Sequence, residues 1–139
     1  MNTRTLRALT IGEPYASLIM SGEKWVENRT WPTNHRGLLA IHAGKGTQYL
    51  DRKQLAAYPA GCVLGIVELV ACTPMPLTVL EGTRLQDIGI NPDEFCDHEH
   101  TEGPWCWILR NPQRYRDPQP AKGKQGLWSW TEPDMLEVV

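Results

Sequence analysis

The sequence predicts an α+β fold: a small, partly closed β-barrel of about six strands, with two or three helices packed on its openings. Three observations lead there. Six short apolar or alternating segments are spread along the chain. The opening order of strand, helix, strand argues against a pure sandwich. Strand-like segments rich in tryptophan dominate the end of the chain. At 139 residues the chain fits a single domain, 1–139, large enough to bury a real core.

The elements follow in order. Thr5–Ile11 reads as a strand. Pro14 suits the first turn of a helix, and Tyr15, Leu18 and Ile19 keep helical spacing until Gly22 stops it. Lys24–Arg29 alternates, with Trp25, Glu27 and Arg29 on one side and Lys24, Val26 and Asn28 on the other. After the turn-rich Trp31–Gly37 comes an apolar strand, Gly37–Ala43. Thr47 is placed to cap a helix running to about Tyr58, with Leu50 and Leu55 on its apolar side. Gly61–Ala71 is the most strand-like segment, interrupted by Gly65 and Glu68. Residues 74–103, rich in Pro, Gly and acids, leave room for one or two short helices. Trp105–Leu109 and Gly126–Trp130 read as strands, and Asn111–Lys124, with three prolines, reads as the connection between them.

Composition excludes several classes. Hydrophobic residues are 41% and charged residues 22%, so the chain is globular rather than disordered. Its longest apolar runs are too short to span a bilayer, and the start has neither a long apolar stretch nor a small-residue cleavage site. A cytoplasmic protein with no membrane partner is expected. The formal net charge is −2, and no strong basic excess marks a protein that coats nucleic acid tightly and nonspecifically. The charge is unevenly spread: residues 81–102 hold seven acids and one base, and residues 110–124 hold five bases and one acid.

Cys62 and Cys72 flank an apolar segment and are read as core. Cys96, His98, His100 and Cys106 bring two thiols and two imidazoles within eleven residues, a set able to bind zinc. Their spacing matches no ligand pattern, and the stretch is read as an acidic surface loop with incidental histidines. No metal and no cofactor are expected.

Four constellations carry candidate chemistry. In Lys24-Trp25-Val26-Glu27-Asn28-Arg29, alternation puts Glu27 and Arg29 on one face, where an ion pair forms easily. Such a segment is either an exposed strand edge or the rim of a pocket. A desolvated Lys24 would serve as base or nucleophile, with a carboxylate to relay the proton. Glu68 is a lone carboxylate in an apolar strand, so it faces solvent or meets a partner. Six of the eleven aromatic residues are tryptophans, suited to stacking on bases but more often core filling. Finally, the glycines of Lys122-Gly123-Lys124-Gln125-Gly126 permit close backbone approach to an anion, though the spacing is not that of a Walker A loop.

Taken together, these residues resemble the ASCH domain, named for activating signal cointegrator homology. The resemblance runs through Ala8–Ile11, Pro14–Ile19, Gly22-Glu23-Lys24, Glu27–Trp31, Arg36-Gly37 and Ala40–Ala43. It continues through Gly61–Gly65 with Glu68, Pro104–Leu109, and Lys122-Gly123 to Leu127-Trp128. It covers about residues 6–130, leaving a short C-terminal tail, and Tyr15 stands where the family usually has Trp. The resemblance implies a PUA-like fold with helices around a cleft, and relatives of that fold are associated with RNA binding and with reading modified bases. It makes Lys24, Glu27 and Arg29 pocket candidates, followed by Trp31, His42, Glu68, Lys124 and Trp128.

One branch of the family is similar to amidohydrolases that remove acyl groups from the N4 of cytidine. There a Lys and a Thr stand three residues apart, with a Glu from elsewhere. Lys24 matches the Lys, Glu27 stands in place of the Thr, and Glu68 is a candidate for the distant acid. Another branch is linked to RNA cleavage, which no residue here singles out. The first expectation is therefore recognition of a nucleobase, in RNA or as a nucleoside, in a cleft lined by Lys, Glu, Arg and Trp. The second is a metal-independent amidohydrolase with catalytic Lys24, Glu27 and Glu68. The third is a protein-interaction domain in transcription or translation control, using the acidic segment 81–102 as its contact surface.

Overall fold

The computed structural model describes residues 3–46, 50–51, 57–134 and 136–139. The helix expected over Thr47–Tyr58 lies largely outside these described residues. The strands are β1 (Arg4–Ile11), β2 (Val26–Arg29), β3 (Gly37–Ala43), β4 (Cys62–Pro74), β5 (Trp105–Pro120) and β6 (Leu127–Glu132). The helices described are α1 (Tyr15–Ser21), α2 (Val79–Asp87) and α3 (Pro92–Asp97). The six strands form one mixed sheet in the order β2-β5-β4-β3-β1-β6, an α+β architecture in which the sheet has two ends and does not close.

The chain divides into two compact units. The first comprises Met1–Lys24, Leu38–Glu68 and Asn111–Val139; the second comprises Trp25–Gly37 and Leu69–Arg110. Strands β4 and β5 each begin in one unit and end in the other.

In the first unit β1 is the hub. It pairs in parallel with β3, setting Arg7 against Leu39 and Thr10 against His42. It also pairs antiparallel with β6, setting Leu6 against Trp130 and Ala8 against Trp128. Alternation then sorts the side chains. Leu6, Ala8, Ala40, Val63, Ile66, Tyr115 and Trp128 form one apolar cluster. Leu9, Ile11, Leu39, Ile41 and Ala43 have the opposite parity and are buried too. Helix α1 ends at Gly22 as expected, and its N-terminus is served by Glu13. The Glu13 carboxylate accepts from the Ser17 backbone N–H at 2.7 Å and from the Ser17 hydroxyl at 2.6 Å. An anion there complements the first turn of the helix.

Gly65, which looked like an interruption of β4, is required by β5. A Cβ at this position would lie 2.2 Å from the Gln113 carbonyl oxygen and 2.9 Å from Arg114 Cα. Only glycine lets the two backbones pass so closely.

The connection expected over Asn111–Lys124 is instead strand as far as Pro120. Arg116 N–H donates to the Glu137 carbonyl, and the Arg114 carbonyl accepts from Val139 N–H. The backbone groups of these even-numbered residues therefore point to the C-terminal tail. Pro112, Pro118 and Pro120 have the same parity, so alternation turns each missing N–H away from β4. Asn111, which begins this stretch, takes φ of 53°, a left-handed conformation that Asn tolerates.

In the second unit β2 pairs antiparallel with the start of β5, Val26 against Ile108 and Arg29 against Trp105. Its core is Val26, Ala71, Leu85, Ile90, Phe95, Cys106 and Ile108, with Trp25 and Leu77 packed against it. The two short helices appear where the acidic stretch left room for them. The Thr78 hydroxyl accepts from Glu81 N–H, and the Asn91 side chain accepts from Asp93 and Glu94 N–H, capping α2 and α3.

Candidate anion-binding pocket

The register of β1, β3 and β6 creates a polar cluster at one end of the first unit's sheet. Thr10 and His42 are direct partners across β1 and β3, and the Thr10 hydroxyl stands 3.1 Å from His42 Nδ1. Trp128 Nε1–H donates to the same hydroxyl at 3.2 Å. His42 Nε2–H donates to the Ala121 carbonyl at 2.7 Å. His42 is 2% exposed, and its ring meets the Trp128 ring edge-on at a centroid distance of 5.4 Å. Burial pushes the His42 pKa below the ordinary imidazole value, against the opposing pull of the Ala121 carbonyl.

Over this cluster runs Ala121-Lys122-Gly123-Lys124-Gln125. A Cβ on Gly123 would lie 2.7 Å from both His42 Cε1 and Thr10 Oγ1, so the backbone rests directly on the pair. The result is an open pocket of about 800 Å³, lined by Thr10 and His42, by the glycine backbone, and by Lys45, Lys122, Lys124 and Gln125. Among the described residues no carboxylate lines it. Three ammonium groups, an amide and close-lying backbone suit an anion.

Of the expected site residues, the structure brings together His42, Lys124 and Trp128. Trp128 is 6% exposed and packs into the apolar cluster, so it supports Thr10 from within the core. Lys24 is buried, with Nζ 5.5 Å above the Tyr15 ring. In the second unit, Glu27 and Arg29 form the ion pair that alternation allowed, at 2.9 Å. Trp31 is half-buried there; its ring meets Trp107 edge-on, and its carbonyl accepts from Trp107 Nε1–H at 3.3 Å. Glu68 lines a different pocket of the first unit, of about 310 Å³, with Arg4, Tyr115 and Glu132. It is half-buried and accepts from Asn111 Nδ2–H at 3.2 Å.

Sequence reasoning singled out the Lys122–Gln125 loop but missed Thr10 and Lys45. Thr10 carried a signal, a hydroxyl set between the apolar Leu9 and Ile11 at the end of β1. Asn28 was noted only as a neighbour of Lys24, yet it fastens a whole segment. Its Oδ1 accepts from Glu102 and Gly103 N–H at 3.0 and 2.8 Å, and its Nδ2–H donates to the His100 carbonyl at 2.7 Å.

The cysteine–histidine stretch of this unit is engaged in packing. His98 stacks on Trp25 at 4.6 Å, and Cys106 is buried beside Asn28. Among the described residues no group of three or more His, Cys, Asp or Glu is gathered to hold a metal. Cys62 is buried, Cys72 half-buried and Cys96 exposed, all as free thiols. Among the described residues no helix is long and apolar enough to cross a membrane.

These features define a small α+β protein with an open mixed sheet and a basic pocket at the end of β1 and β3. The profile of the ASCH domain matches residues 9–119. Activating signal cointegrator 1 of human and of mouse is each 31% identical over 137 residues, covering 86% of this chain and 21% of the relative. The chain therefore spans about a fifth of the length of those curated relatives. Among solved structures, the ASCH protein of Zymomonas mobilis superposes with a TM-score of 0.53 at 18% identity, over 88% of this chain and 85% of the other. A serine-to-alanine variant of that protein gives a TM-score of 0.53 at 20% identity over the same shares, and both show a common fold. The chain belongs to the ASCH domain family.

Proposed function

We propose that the protein binds RNA, seating a backbone phosphate among Lys45, Lys122 and Lys124 and offering the Gln125 amide to the edge of the attached base. The observation that carries this reading is the pocket's charge: three lysines and a glycine backbone, with no carboxylate among the described lining residues. Base recognition along a single strand needs such an electrostatic seat beside it. The weakly acidic net charge of the chain agrees with a footprint of one or two phosphates rather than a long duplex.

The test is the affinity of a labelled oligouridylate as a function of salt. Log affinity should fall linearly with log salt, with a slope of about −0.7 per phosphate neutralised on a single strand. Replacing Lys122 and Lys124 together with Ala should weaken binding about tenfold and flatten that slope. Equal affinity and slope in wild type and the double variant would remove the pocket from the explanation.

A second reading, hydrolysis of N4-acylcytidines, draws on one observation, the burial of Lys24 at 3% exposure. It predicts release of cytidine from N4-acetylcytidine by the wild type and none by Lys24→Ala. Absence of turnover at high protein concentration retires it for that substrate.

A further inference from the structure

We propose that anion binding in this pocket is linked to uptake of a proton by His42, which acts as a positioning residue for the Lys122–Lys124 loop. The inference rests on the reading of the pocket as an RNA phosphate site and adds its regulation. The hydrogen-bond polarity of the cluster carries it. The Ala121 carbonyl can only accept, so His42 Nε2 carries a proton in the neutral as well as the charged ring. In the neutral ring Nδ1 is then an acceptor, and the donor facing it is the Thr10 hydroxyl at 3.1 Å. Trp128 Nε1–H occupies the acceptor side of that hydroxyl at 3.2 Å. The hydroxyl proton is thus drawn to Nδ1 and away from the Lys124 carbonyl, which stands 3.4 Å off.

Protonation of Nδ1 reverses the order. Nδ1–H now donates to Thr10, and the hydroxyl proton turns to the Lys124 carbonyl. The loop is then held on both sides of Gly123, at Ala121 by the ring and at Lys124 by Thr10. Among the described residues, the charged groups lining the pocket are all positive. Lys45 follows β3, Lys122 and Lys124 follow β5, and β1 and β6 contribute the uncharged Thr10 and Trp128. An anion seated between these lysines places negative charge beside the ring and favours its charged form. Linkage makes the effect reciprocal, so lower pH must tighten the anion.

The test uses the full chain and an oligouridylate of about ten nucleotides, whose uracils and phosphodiesters keep their charge between about pH 5.5 and 7.5. Wild-type affinity should rise about threefold or more over that interval as pH falls. In His42→Gln, which keeps a donor for the Ala121 carbonyl but has no titrating ring, the affinity should not change with pH. In the wild type, the His42 ring signals should titrate at higher pH with the oligouridylate bound than without it, a comparison that needs no variant to fold. An unmoved His42 titration, or the same pH dependence in His42→Gln, overturns the inference. If binding depends on Lys122 and Lys124 but not on pH, this linkage fails and the RNA reading stands. If no binding occurs at either pH, both fall.

Discussion

The two units of the chain differ in charge and in how their backbones are held. The first carries 10 basic and 8 acidic residues, and the second 4 basic and 8 acidic. In the first, three lysines gather around a pocket whose floor is set by strand register. In the second, acids crowd the two short helices and the loop after them, and single side chains such as Asn28 hold that loop. Nearly equal acid and base counts along a chain thus conceal a basic face, because a sheet gathers residues far apart in sequence. Thr10, Lys45 and Lys122 illustrate this.

The comparison is most sharply broken at a pair of glycines. Gly65→Ala drives a methyl group into the β5 backbone and should cost about 3 kcal/mol or more, measured by urea unfolding. A loss below about 1 kcal/mol would mean that β5 does not pass where the structure puts it. Next in size, Asn28→Ala leaves the N–H groups of Glu102 and Gly103 without their acceptor and should cost about 2 kcal/mol. Hydrogen exchange should speed up over residues 100–103 and not in the first unit.

The charge contrast gives a smaller effect. Lys122 and Lys124 changed together to Ala should weaken oligouridylate binding about tenfold, or about 1.4 kcal/mol. Arg84 and Arg110 changed together remove the same charge from the second unit and should leave affinity within about twofold, because neither lines the pocket and exposed charges are screened by salt. Equal losses in the two double variants would reduce the pocket to a matter of net charge. Smallest is Gly82→Ala in α2, where the nearest neighbouring atom would be 3.8 Å from the new Cβ. It should stabilise the chain by about 0.5–1 kcal/mol, opposite in sign to Gly65→Ala.

The free protein should also respond to acid. Burial holds the pKa of folded His42 below 6.5, so the unfolded chain takes up its proton first as pH falls. The thermal midpoint should therefore drop as pH is lowered below about 6.5, and less so in His42→Gln. An identical drop in both would assign the acid sensitivity to other groups.

Much of the fold was legible in the chain because β-strands announce themselves locally. Period-two alternation fixed the Glu27–Arg29 pair, and apolar runs placed β1, β3 and β4 within a few residues. Local rules failed where the answer lay in a neighbouring strand. Prolines made Asn111–Pro120 look like a loop, yet their parity turns the missing donors away from β4. Gly65 looked like a weakness in β4 until β5 was seen against it. The candidate site was only half legible. His42, Lys124 and the glycine loop could be picked from the chain, but the pairing of Thr10 with His42 could not. Sequence by itself determined β1, β3, most of β4 and the start of β5, the acidic and basic segments, and the family resemblance, since each depends on residues close together in the chain or on the order of short motifs. Tertiary structure decided which of them meet, because parallel pairing of β1 with β3 brings Thr10 to His42 across 32 residues, and only register, not spacing, sets that contact.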